Sequence, residues 1–259
     1  MVTNQEIVFL TADMGINLVE KIQRDFPSRY LNVGIAEQNL IGVAAGLAQS
    51  GFKPFVYTIS NFLTIRALEQ IRNDIVLHKL PVTLVGTSTG FDNGPLGPTH
   101  HILEDWGILS AMPNLQIYCP SRFNSVETIF DRCLASNAPS YVRIPKGKGI
   151  DGELQRISNK QTLVLTYGST SSFGIEYSLS NDYDYKIIET LKPLDLSIDI
   201  FNSKTTVIVI EDHFSEIGLY SQICQLVNSA RLNVHVKSVA PKSYNLRVGF
   251  RFEDFLRDS

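Results

Sequence analysis

A glutamate stands at the start of a segment with helical spacing and many small residues. The segment runs from Gln38 to Gln49, and Glu37 immediately precedes it. A carboxylate at a helix start is favoured by the helix dipole and can be aimed outward from a sheet. Glu37 is therefore either a functional carboxylate or an ordinary N-terminal helix charge. The small residues, which would let a helix lie close to a neighbouring backbone, are Gly42, Ala44, Ala45, Gly46 and Ala48.

An aromatic and a cationic side chain follow in a second predicted helix, Asn61 to Leu77. Phe62 and Arg66 lie one helical turn apart. The flat apolar ring of Phe62 could hold a planar ligand against its neighbours. Arg66 could orient either that ligand or Glu37. Core packing is the alternative role for Phe62.

A loop dense in glycine and proline carries two adjacent histidines. It extends from Thr89 to Asp105, leaves the predicted strand Val82 to Thr87, and contains His100 and His101. Loops at the carboxyl ends of parallel strands commonly bind ligands. An imidazole titrates near neutrality, which suits proton transfer to and from hydroxyl and carbonyl oxygens. Surface or core positions are the alternatives for both histidines.

Three stretches together resemble the pyrimidine-binding domain shared by transketolases, deoxyxylulose phosphate synthases and the beta subunits of 2-oxoacid dehydrogenases. They are GIAEQ with its small-residue helix, YTISNFLTIRALEQIRND, and GPTHH, in the family's order and at about the family's spacing. PNLQIYCPS and APSYVRIPKG resemble the last strands of that domain. LKPLD and IVIEDHFSEIG resemble the C-terminal domain of transketolases, so the resemblance covers nearly the whole chain.

The resemblance implies a site for thiamine diphosphate. Glu37 matches the catalytic glutamate that bonds to the aminopyrimidine ring and favours its imino form, whose nitrogen takes the proton from the thiazolium carbon. Phe62 matches the aromatic residue against which that ring stacks. Arg66 and Ile35 are the other residues expected to bind the cofactor.

The same resemblance implies contacts with a substrate. His100 matches a histidine that faces the reacting carbonyl, so we expect it to be catalytic and substrate-binding, with His101 also binding substrate. Arg143 matches an arginine that contacts the substrate phosphate in phosphosugar-using members. A guanidinium offers a planar fork to phosphate oxygens. A structural ion pair at a strand end is an equally weighted role for Arg143.

One position departs from the family's pattern. Many transketolases and deoxyxylulose phosphate synthases have an aspartate immediately before the glycine of GPTHH, and this chain has Leu96 there. That aspartate contributes to sugar or cofactor contacts, so the usual acceptor specificity is open for this chain. Asp92 could replace it if the loop folds back.

The sequence lacks the Gly-Asp-Gly element and the following asparagine with which the family holds a divalent cation and the diphosphate. The concentrated charge of a magnesium-bridged diphosphate must be met by hard oxygen ligands. We therefore expect an N-terminal transketolase subunit to supply the diphosphate-binding domain and the ligands of Mg²⁺. The cofactor would lie in the cleft between the two chains, and the assembly would be a dimer of heterodimers.

The expected reaction is transfer of a two-carbon ketol unit from a ketose or ketose phosphate to an aldehyde or keto-sugar acceptor. The sequence does not choose the donor or the acceptor. The alternatives are a 2-oxoacid dehydrogenase beta subunit, a deoxyxylulose phosphate synthase and a non-catalytic scaffold subunit. Intact Glu37, Phe62 and His100 argue against the scaffold.

Composition excludes several classes of partner. The chain has 259 residues, 44% of them hydrophobic, a net charge of -3, and 23 scattered Lys and Arg, so we expect neither nucleic acid nor a membrane as a partner. No run of about 18 apolar residues and no signal peptide pattern occurs. The three cysteines, Cys119, Cys133 and Cys224, fit buried thiols in a reducing compartment, so we expect a cytoplasmic protein.

A run of three potential ligands, Glu211, Asp212 and His213, is not expected to hold a metal. Adjacent residues on an extended chain point in opposite directions, and no suitable further ligands are evident. We therefore expect no metal ligands on this chain.

The pattern of elements predicts an α/β protein with largely parallel sheets, because short β-branched runs alternate with segments of helical period. A polar linker at 148–160 would separate a pyrimidine-binding domain, 1–147, from a transketolase C-terminal domain, 161–259, each with three α/β/α layers. The main strands are predicted at 7–11, 54–58, 82–87, 115–119, 140–144, 163–166, 186–188, 206–210 and 233–239. Helices are predicted at 38–49, 61–77, 125–134 and 216–230.

Overall fold

The chain folds into two β-sheets with helices packed on them, in a computed structural model that describes residues 1–2, 4–147 and 149–258. Lys148, the first residue of the predicted linker, and Ser259, the last of the predicted C-terminal domain, lie outside the described residues. The strands are β1 (Ile7–Thr11), β2 (Tyr30–Asn32), β3 (Lys53–Ile59), β4 (Thr83–Thr87), β5 (Gln116–Tyr118), β6 (Ser140–Ile144), β7 (Gln155–Arg156), β8 (Thr162–Thr166), β9 (Asp184–Ile187), β10 (Thr190–Lys192), β11 (Thr206–Ile210) and β12 (His235–Val239). The α-helices are α1 (Glu20–Asp25), α2 (Glu37–Gln49), α3 (Leu68–Gln70), α4 (Asp105–Ser110), α5 (Phe123–Ala135), α6 (Ser171–Ser180), α7 (Leu219–Ser229) and α8 (Phe252–Asp258).

Both sheets are largely parallel. The described part of the chain builds a first sheet in the order β10-β5-β6-β4-β3-β1-β2, in which β10 runs antiparallel to β5 and the other neighbours are parallel. It builds a second sheet in the order β12-β11-β8-β9-β7, in which β7 runs antiparallel to β9. This arrangement confirms the α/β class predicted from the sequence.

The central strands read as continuous apolar runs because helices and neighbouring elements bury them. β8 is TLVLT and β11 is TVIVI, and the last four residues of each are buried. Strands of a parallel sheet that is covered on both faces have this composition. The main hydrophobic cluster includes residues from both sheets, so the two sheets share one core.

The predicted helix 61–77 is present, but most of its turns are wide. Two π-helical segments, Phe62–Arg66 and Ile71–Val76, flank the single turn α3. The hydroxyl of Thr64 donates a hydrogen bond of 2.7 Å to the carbonyl of Ser60, which offers the backbone oxygen a partner outside the regular helical pattern. Wide turns of this kind are frequent at functional sites.

Strand β9 begins two residues before the predicted start, at a buried charged residue. Asp184 accepts a hydrogen bond of 2.5 Å from Nζ of Lys204 and one of 2.8 Å from the hydroxyl of Ser158. These partners satisfy the carboxylate, so a residue that interrupts the apolar pattern lies inside the strand. The interaction is between distant segments and is not visible in the local sequence.

A buried polar network joins the two sheets. The guanidinium of Arg143 on β6 donates from Nε to Oδ2 of Asp105 at 2.9 Å and from Nη1 to Oδ1 of Asp212 at 3.1 Å. Tyr141 donates to Asp105 at 2.7 Å, and Ser169 donates to Asp212 at 2.5 Å. We call these five residues the interdomain network. The three charged side chains, those of Arg143, Asp105 and Asp212, are at most 1% exposed, so each depends on the others for charge compensation.

A second set of buried contacts lies beside that network. Nε1 of Trp106 donates to the hydroxyl of Tyr167 at 2.9 Å, and Tyr167 donates to Oε2 of Glu211 at 3.1 Å. Glu211 also accepts from the backbone amides of Leu219 and Tyr220 at the start of α7. The carboxylate therefore caps a helix that packs on the second sheet, and it connects that helix to α4 through Tyr167 and Trp106.

Two smaller predictions concern burial and the membrane. Cys119 and Cys133 are buried as predicted, whereas Cys224 is half-buried on α7. Among the helices of the described residues, none combines the length and the apolar character needed to cross a membrane.

Candidate functional site

The candidate site lies at one edge of the first sheet. Because β1, β2, β3 and β4 are parallel, the loops that leave their carboxyl ends meet at the same edge. Glu37 follows β2, Phe62 follows β3, and His100 follows β4. The topology alone therefore brings together three residues that are far apart in the sequence.

Glu37 is the first residue of α2, and its side chain is only 2% exposed. Its Oε2 accepts a hydrogen bond of 2.7 Å from Nη1 of Arg66. Within the residues that the structure describes, no hydrogen bond reaches Oε1. The site thus presents a buried carboxylate with one oxygen paired and the other free for a donor.

Arg66 connects the glutamate to the aromatic residue. Its guanidinium carbon lies 4.2 Å from the ring centroid of Phe62, within cation–π distance. Gln38 donates from Nε2 to the carbonyl of Arg66 at 3.2 Å, which ties this turn to the start of α2. The wide helical turn that contains Phe62 and Arg66 therefore places a flat ring and a cation next to Glu37.

His100 also packs against Phe62. The two ring centroids are 5.1 Å apart at an interplanar angle of 66°. Nδ1 of His100 is 3.0 Å from Oγ1 of Thr99, and Nδ2 of Asn61 donates to the carbonyl of Thr99 at 2.7 Å. Asn61 and Thr99 thus fix the loop of residues 89–104, the histidine loop, to the end of β3. Sequence reasoning missed both residues, although a polar residue directly after a buried strand was an available signal.

His101 is packed into the protein instead of facing the site. It is buried, and its ring lies edge-on to Phe91 with centroids 5.2 Å apart. Burial, helped by the neighbouring His100, lowers the pKa of His101 below its ordinary value. The structure therefore separates two adjacent histidines, one beside Phe62 and one in the core.

The other predicted site residues divide in the same way. Ile35 is 75% exposed and lies just before α2, at the edge that carries Glu37. Arg143 does not lie with them, because it is fully buried in the interdomain network and its guanidinium is paired with Asp105 and Asp212. That arrangement is the structural ion pair named above as the alternative, so we do not include Arg143 in the site proposed below.

The position that departs from the family's pattern is open to solvent. Leu96 is 56% exposed and lies in a short helical turn of the histidine loop. Asp92 does not take its place, since its Oδ2 accepts hydrogen bonds from the backbone amides of Thr89 and Lys146. Burial raises the pKa of Asp92 to about 6. This carboxylate therefore fastens the base of the loop.

Exposed aliphatic side chains border the same edge of the sheet, in β2 or in the segments that follow β1 to β4. They are between 41% and 85% exposed. A group of large apolar residues on the surface commonly marks an interaction site. We call this set the apolar edge; it consists of Ile16, Leu18, Leu31, Ile35, Ile65 and Leu96.

The residues Glu211, Asp212 and His213 lie in the core between the sheets. His213 accepts at Nε2 from the amide of Gly107, and burial lowers its pKa to about 4. Throughout the described parts of the chain, no cluster of three or more His, Cys, Asp or Glu side chains is placed to hold a metal ion.

Comparison with known proteins decides the family. The family described as transketolase, pyrimidine binding domain, matches residues 1–150 of this chain. The chain belongs to the transketolase family.

Two similar proteins come from different branches of the transketolase family. One is 1-deoxy-D-xylulose-5-phosphate synthase of Dictyoglomus turgidum, 33% identical over 253 residues, which are 89% of this chain and 40% of that protein. The other is the putative transketolase C-terminal section of Methanocaldococcus jannaschii, 31% identical over 255 residues, 88% of this chain and 78% of that protein. This transketolase-family chain thus spans about two fifths of the synthase.

Solved structures agree on the fold. A split gene transketolase, described as an inactive beta4 tetramer, superposes with a TM-score of 0.85 and 26% identity, over 99% of this chain and 88% of that one. The transketolase of Leishmania mexicana gives a TM-score of 0.79 at 19% identity, over 98% of this chain and 42% of that one. The second comparison supports the transketolase fold alone.

Proposed function

We propose that this chain is the C-terminal subunit of a split, thiamine diphosphate-dependent transferase that moves a two-carbon ketol unit between sugars. The observation that carries this proposal is the buried carboxylate of Glu37, whose Oε2 is held by Arg66, while the guanidinium of Arg66 lies on the ring of Phe62. A planar, nitrogen-containing ring fits such a position, since the free carboxylate oxygen can bond a ring nitrogen while Phe62 supplies an apolar wall.

Each residue of the site has a distinct role in this proposal. Glu37 holds or releases a proton at Oε1, and Arg66 keeps the carboxylate oriented. Phe62 and Ile35 bound the ring on its apolar sides. His100, with Nδ1 near the Thr99 hydroxyl, presents Nε2 for proton exchange with substrate oxygens. Thiamine diphosphate, when bound, supplies the carbanion chemistry that breaks and forms the carbon–carbon bond.

Three observations support a separate partner subunit. The apolar edge lies at the same edge of the sheet as the site and would be covered by a docked domain. No metal-binding cluster lies in the described residues, so ligands for a Mg²⁺ bound to the diphosphate would come from the partner. Proteins similar to this chain include one described as a C-terminal section and one described as a split gene product. A site that needs one copy of both chains requires a heterodimer, and we propose that two such heterodimers pair into a dimer of heterodimers.

Calorimetric titration of thiamine diphosphate with Mg²⁺ tests the proposal. The chain mixed with the product of a neighbouring gene that encodes a diphosphate-binding domain should bind the cofactor, and the chain alone should not. Glu37→Gln keeps the size of the side chain but removes the ionisable group, so ketol transfer by the mixture should fall by at least about a hundredfold. Activity near wild type in that variant would instead support the scaffold subunit.

Deoxyxylulose phosphate synthesis is the second candidate, favoured by the 33% identity to a synthase of that reaction. Assaying the mixture with pyruvate and glyceraldehyde 3-phosphate, and separately with a ketose donor and an aldehyde, distinguishes the two. Turnover with the pyruvate mixture and none with the ketose donor would favour the synthase. The exposed Leu96 in the histidine loop is the observation that leads us to prefer a different acceptor.

A further inference from the structure

A segment near the C-terminus lies across the loop that carries the two histidines. We call residues 244–251, between β12 and α8, the strap, and residues 89–104 the histidine loop. The hydroxyl of Tyr244 donates to Oε1 of Glu104 at 2.6 Å, and the amide of Gly249 donates to the carbonyl of Gly94 at 2.6 Å. The strap is therefore fixed to the histidine loop on both sides of His100.

The two backbones touch directly at glycines of the loop. A Cβ at Gly94 would lie 2.7 Å from the carbonyl oxygen of Phe250, and one at Gly97 would lie 3.2 Å from Cγ2 of Val248. Gly97 also has a φ of +75°, which favours glycine. Any larger residue at Gly94 would force the strap away, so the close approach is a specific feature of these segments.

Aromatic contacts extend from the strap to the candidate site. Phe250 lies edge-on to Phe91 with centroids 5.3 Å apart, and Phe91 lies edge-on to His101 at 5.2 Å. His100, the next residue, lies against Phe62 at 5.1 Å. Edge-on ring pairs at these distances are attractive and restrict ring rotation. The position of Phe250 is thus connected to that of His100 through two intervening rings.

Two hollows border Phe91, the residue that Phe250 contacts. One of about 520 Å³ is lined by Phe91, Phe250 and residues at and after the end of β12, and one of about 430 Å³ is lined by Phe91, Arg251 and the start of α6. The pair Phe91–Phe250 therefore supports a part of the histidine loop that borders open space.

We propose that Phe250 is a positioning residue, which holds Phe91 and His101 and thereby orients His100 toward the site. The catalytic role of His100 rests on the proposed function, whereas the support of the histidine loop by Phe250 does not. Phe250→Ala should loosen the loop without changing Glu37, Arg66 or Phe62, because these residues lie on α2 and on the turn after β3.

Phe252 provides a matched control. It is a buried phenylalanine two residues away, but its ring packs on Phe173 of α6 and Phe255 of α8. Phe250→Ala and Phe252→Ala therefore remove the same side chain from neighbouring positions. Loss of core volume should lower the melting temperature in both, whereas only the first substitution removes the support of the histidine loop.

Hydrogen–deuterium exchange of this chain without a partner tests the support directly. The amides of His100 and Ile102 donate to the carbonyls of Gly97 and Gly90, so their exchange reports local opening of the loop. We expect at least about tenfold faster exchange at these amides in Phe250→Ala than in Phe252→Ala. Equal exchange in the two variants would overturn the proposal. If Phe250→Ala does not fold, Phe250→Leu replaces it, and Phe250→Tyr should restore slow exchange.

Kinetics of the assembled enzyme then test the consequence. Phe250→Ala should lower kcat about tenfold and leave the affinity for thiamine diphosphate within about twofold of wild type. Phe250→Tyr, which keeps an aromatic ring, should retain activity. If the wild-type mixture did not bind the cofactor, the proposed function would be refuted, whereas the exchange result would still stand. A normal kcat in a variant whose loop exchanges faster would refute the positioning role alone.

Discussion

Nη1 of Arg66 lies 2.7 Å from Oε2 of Glu37. Within the described residues, this contact is the one hydrogen bond to the buried carboxylate. Replacing Arg66 by Met keeps an apolar stem on Phe62 but leaves the carboxylate without its partner. We expect the free energy of unfolding to fall by about 1–2 kcal/mol, because the buried carboxylate of Glu37 loses its hydrogen-bonding cation. The loss stays this small because solvent already screens the partly exposed Arg66.

Arg72→Met is the control for that experiment. Arg72 lies in the second wide segment of the same helix, Ile71–Val76, is exposed, and its side chain donates a hydrogen bond to the neighbouring Asn73. Its replacement should change the free energy of unfolding in urea by less than about 0.5 kcal/mol. Equal losses for the two variants would mean that the Arg66–Glu37 pair contributes nothing specific.

The interdomain network should be more sensitive than the site. Arg143→Met leaves Asp105 and Asp212 buried without their cation, so we expect the free energy of unfolding to fall by about 3–5 kcal/mol. Urea unfolding of the purified chain measures this loss. Adding Asp105→Asn and Asp212→Asn to Arg143→Met should give a triple variant more stable than the single one, because no ionised carboxylate is then left unpaired. A single variant as stable as wild type would contradict this account.

Glu211 should make stability depend on pH. Burial raises its pKa to about 7, above the ordinary 4.5, so the folded chain holds a proton that the unfolded chain has lost between these values. The contribution of the protonated Glu211 to the free energy of unfolding is fully present below about pH 4.5, and it is lost as the pH rises through 7. The difference in free energy of unfolding between wild type and Glu211→Gln should therefore shift against wild type by about 3 kcal/mol from pH 4.5 to pH 8.

The comparison with Glu211→Gln also removes other titrations. His213, whose pKa is lowered to about 4, acts in the opposite direction, since its neutral folded form gains stability as the pH rises to the ordinary value of 6.5. It is present in both proteins and cancels in the difference. A difference that is flat between pH 4.5 and pH 8 would show that Glu211 ionises normally in the folded chain.

Two glycine-to-alanine substitutions should act in opposite directions. A Cβ at Gly90 would lie 1.8 Å from Oδ2 of Asp212, and φ there is +53°, so Gly90→Ala should destabilise the chain by several kcal/mol, on the order of 3 or more. Gly42 lies within α2, and no atom lies within 4 Å of the position that a Cβ would take there, so Gly42→Ala should stabilise by about 0.5–1 kcal/mol. Thermal unfolding of both variants checks the signs.

Much of the first sheet could be predicted from local patterns. The strands at 7–11 and 140–144, like the strand at 206–210 in the second sheet, have the predicted bounds, because each is a short apolar run that ends at a polar or turn residue. Glu37, Phe62 and His100 could be placed at one edge because parallel strands end on the same side. The local signal and the final structure agree wherever burial on both faces determines the sequence.

The remaining features depend on contacts between distant segments. The burial of His101 is set by Phe91 and Phe250, and that of Asp184 by Lys204, and none of these partners is adjacent in the sequence. Helices α4 and α6 were not predicted. Helix α4 follows the histidine loop, whose glycine and proline residues conceal a helical period, and α6 is rich in Ser and lacks a clear apolar stripe. The role of Arg143 was similarly undecided until Asp105 and Asp212 were seen beside it.

Strand β10 comes from the second half of the chain but forms the edge of the first sheet, antiparallel to β5. A protein cut at residue 150, where the family match ends, would lose this strand and leave the outer edge of β5 unpaired, while β6 stays paired with its inner edge. Such a fragment would be prone to sheet-to-sheet aggregation. A shortened version of this chain should therefore keep Thr190–Lys192 together with the first half. Because β8 and β9 lie between them in the sequence, the chain cannot be divided between its two sheets by one cut.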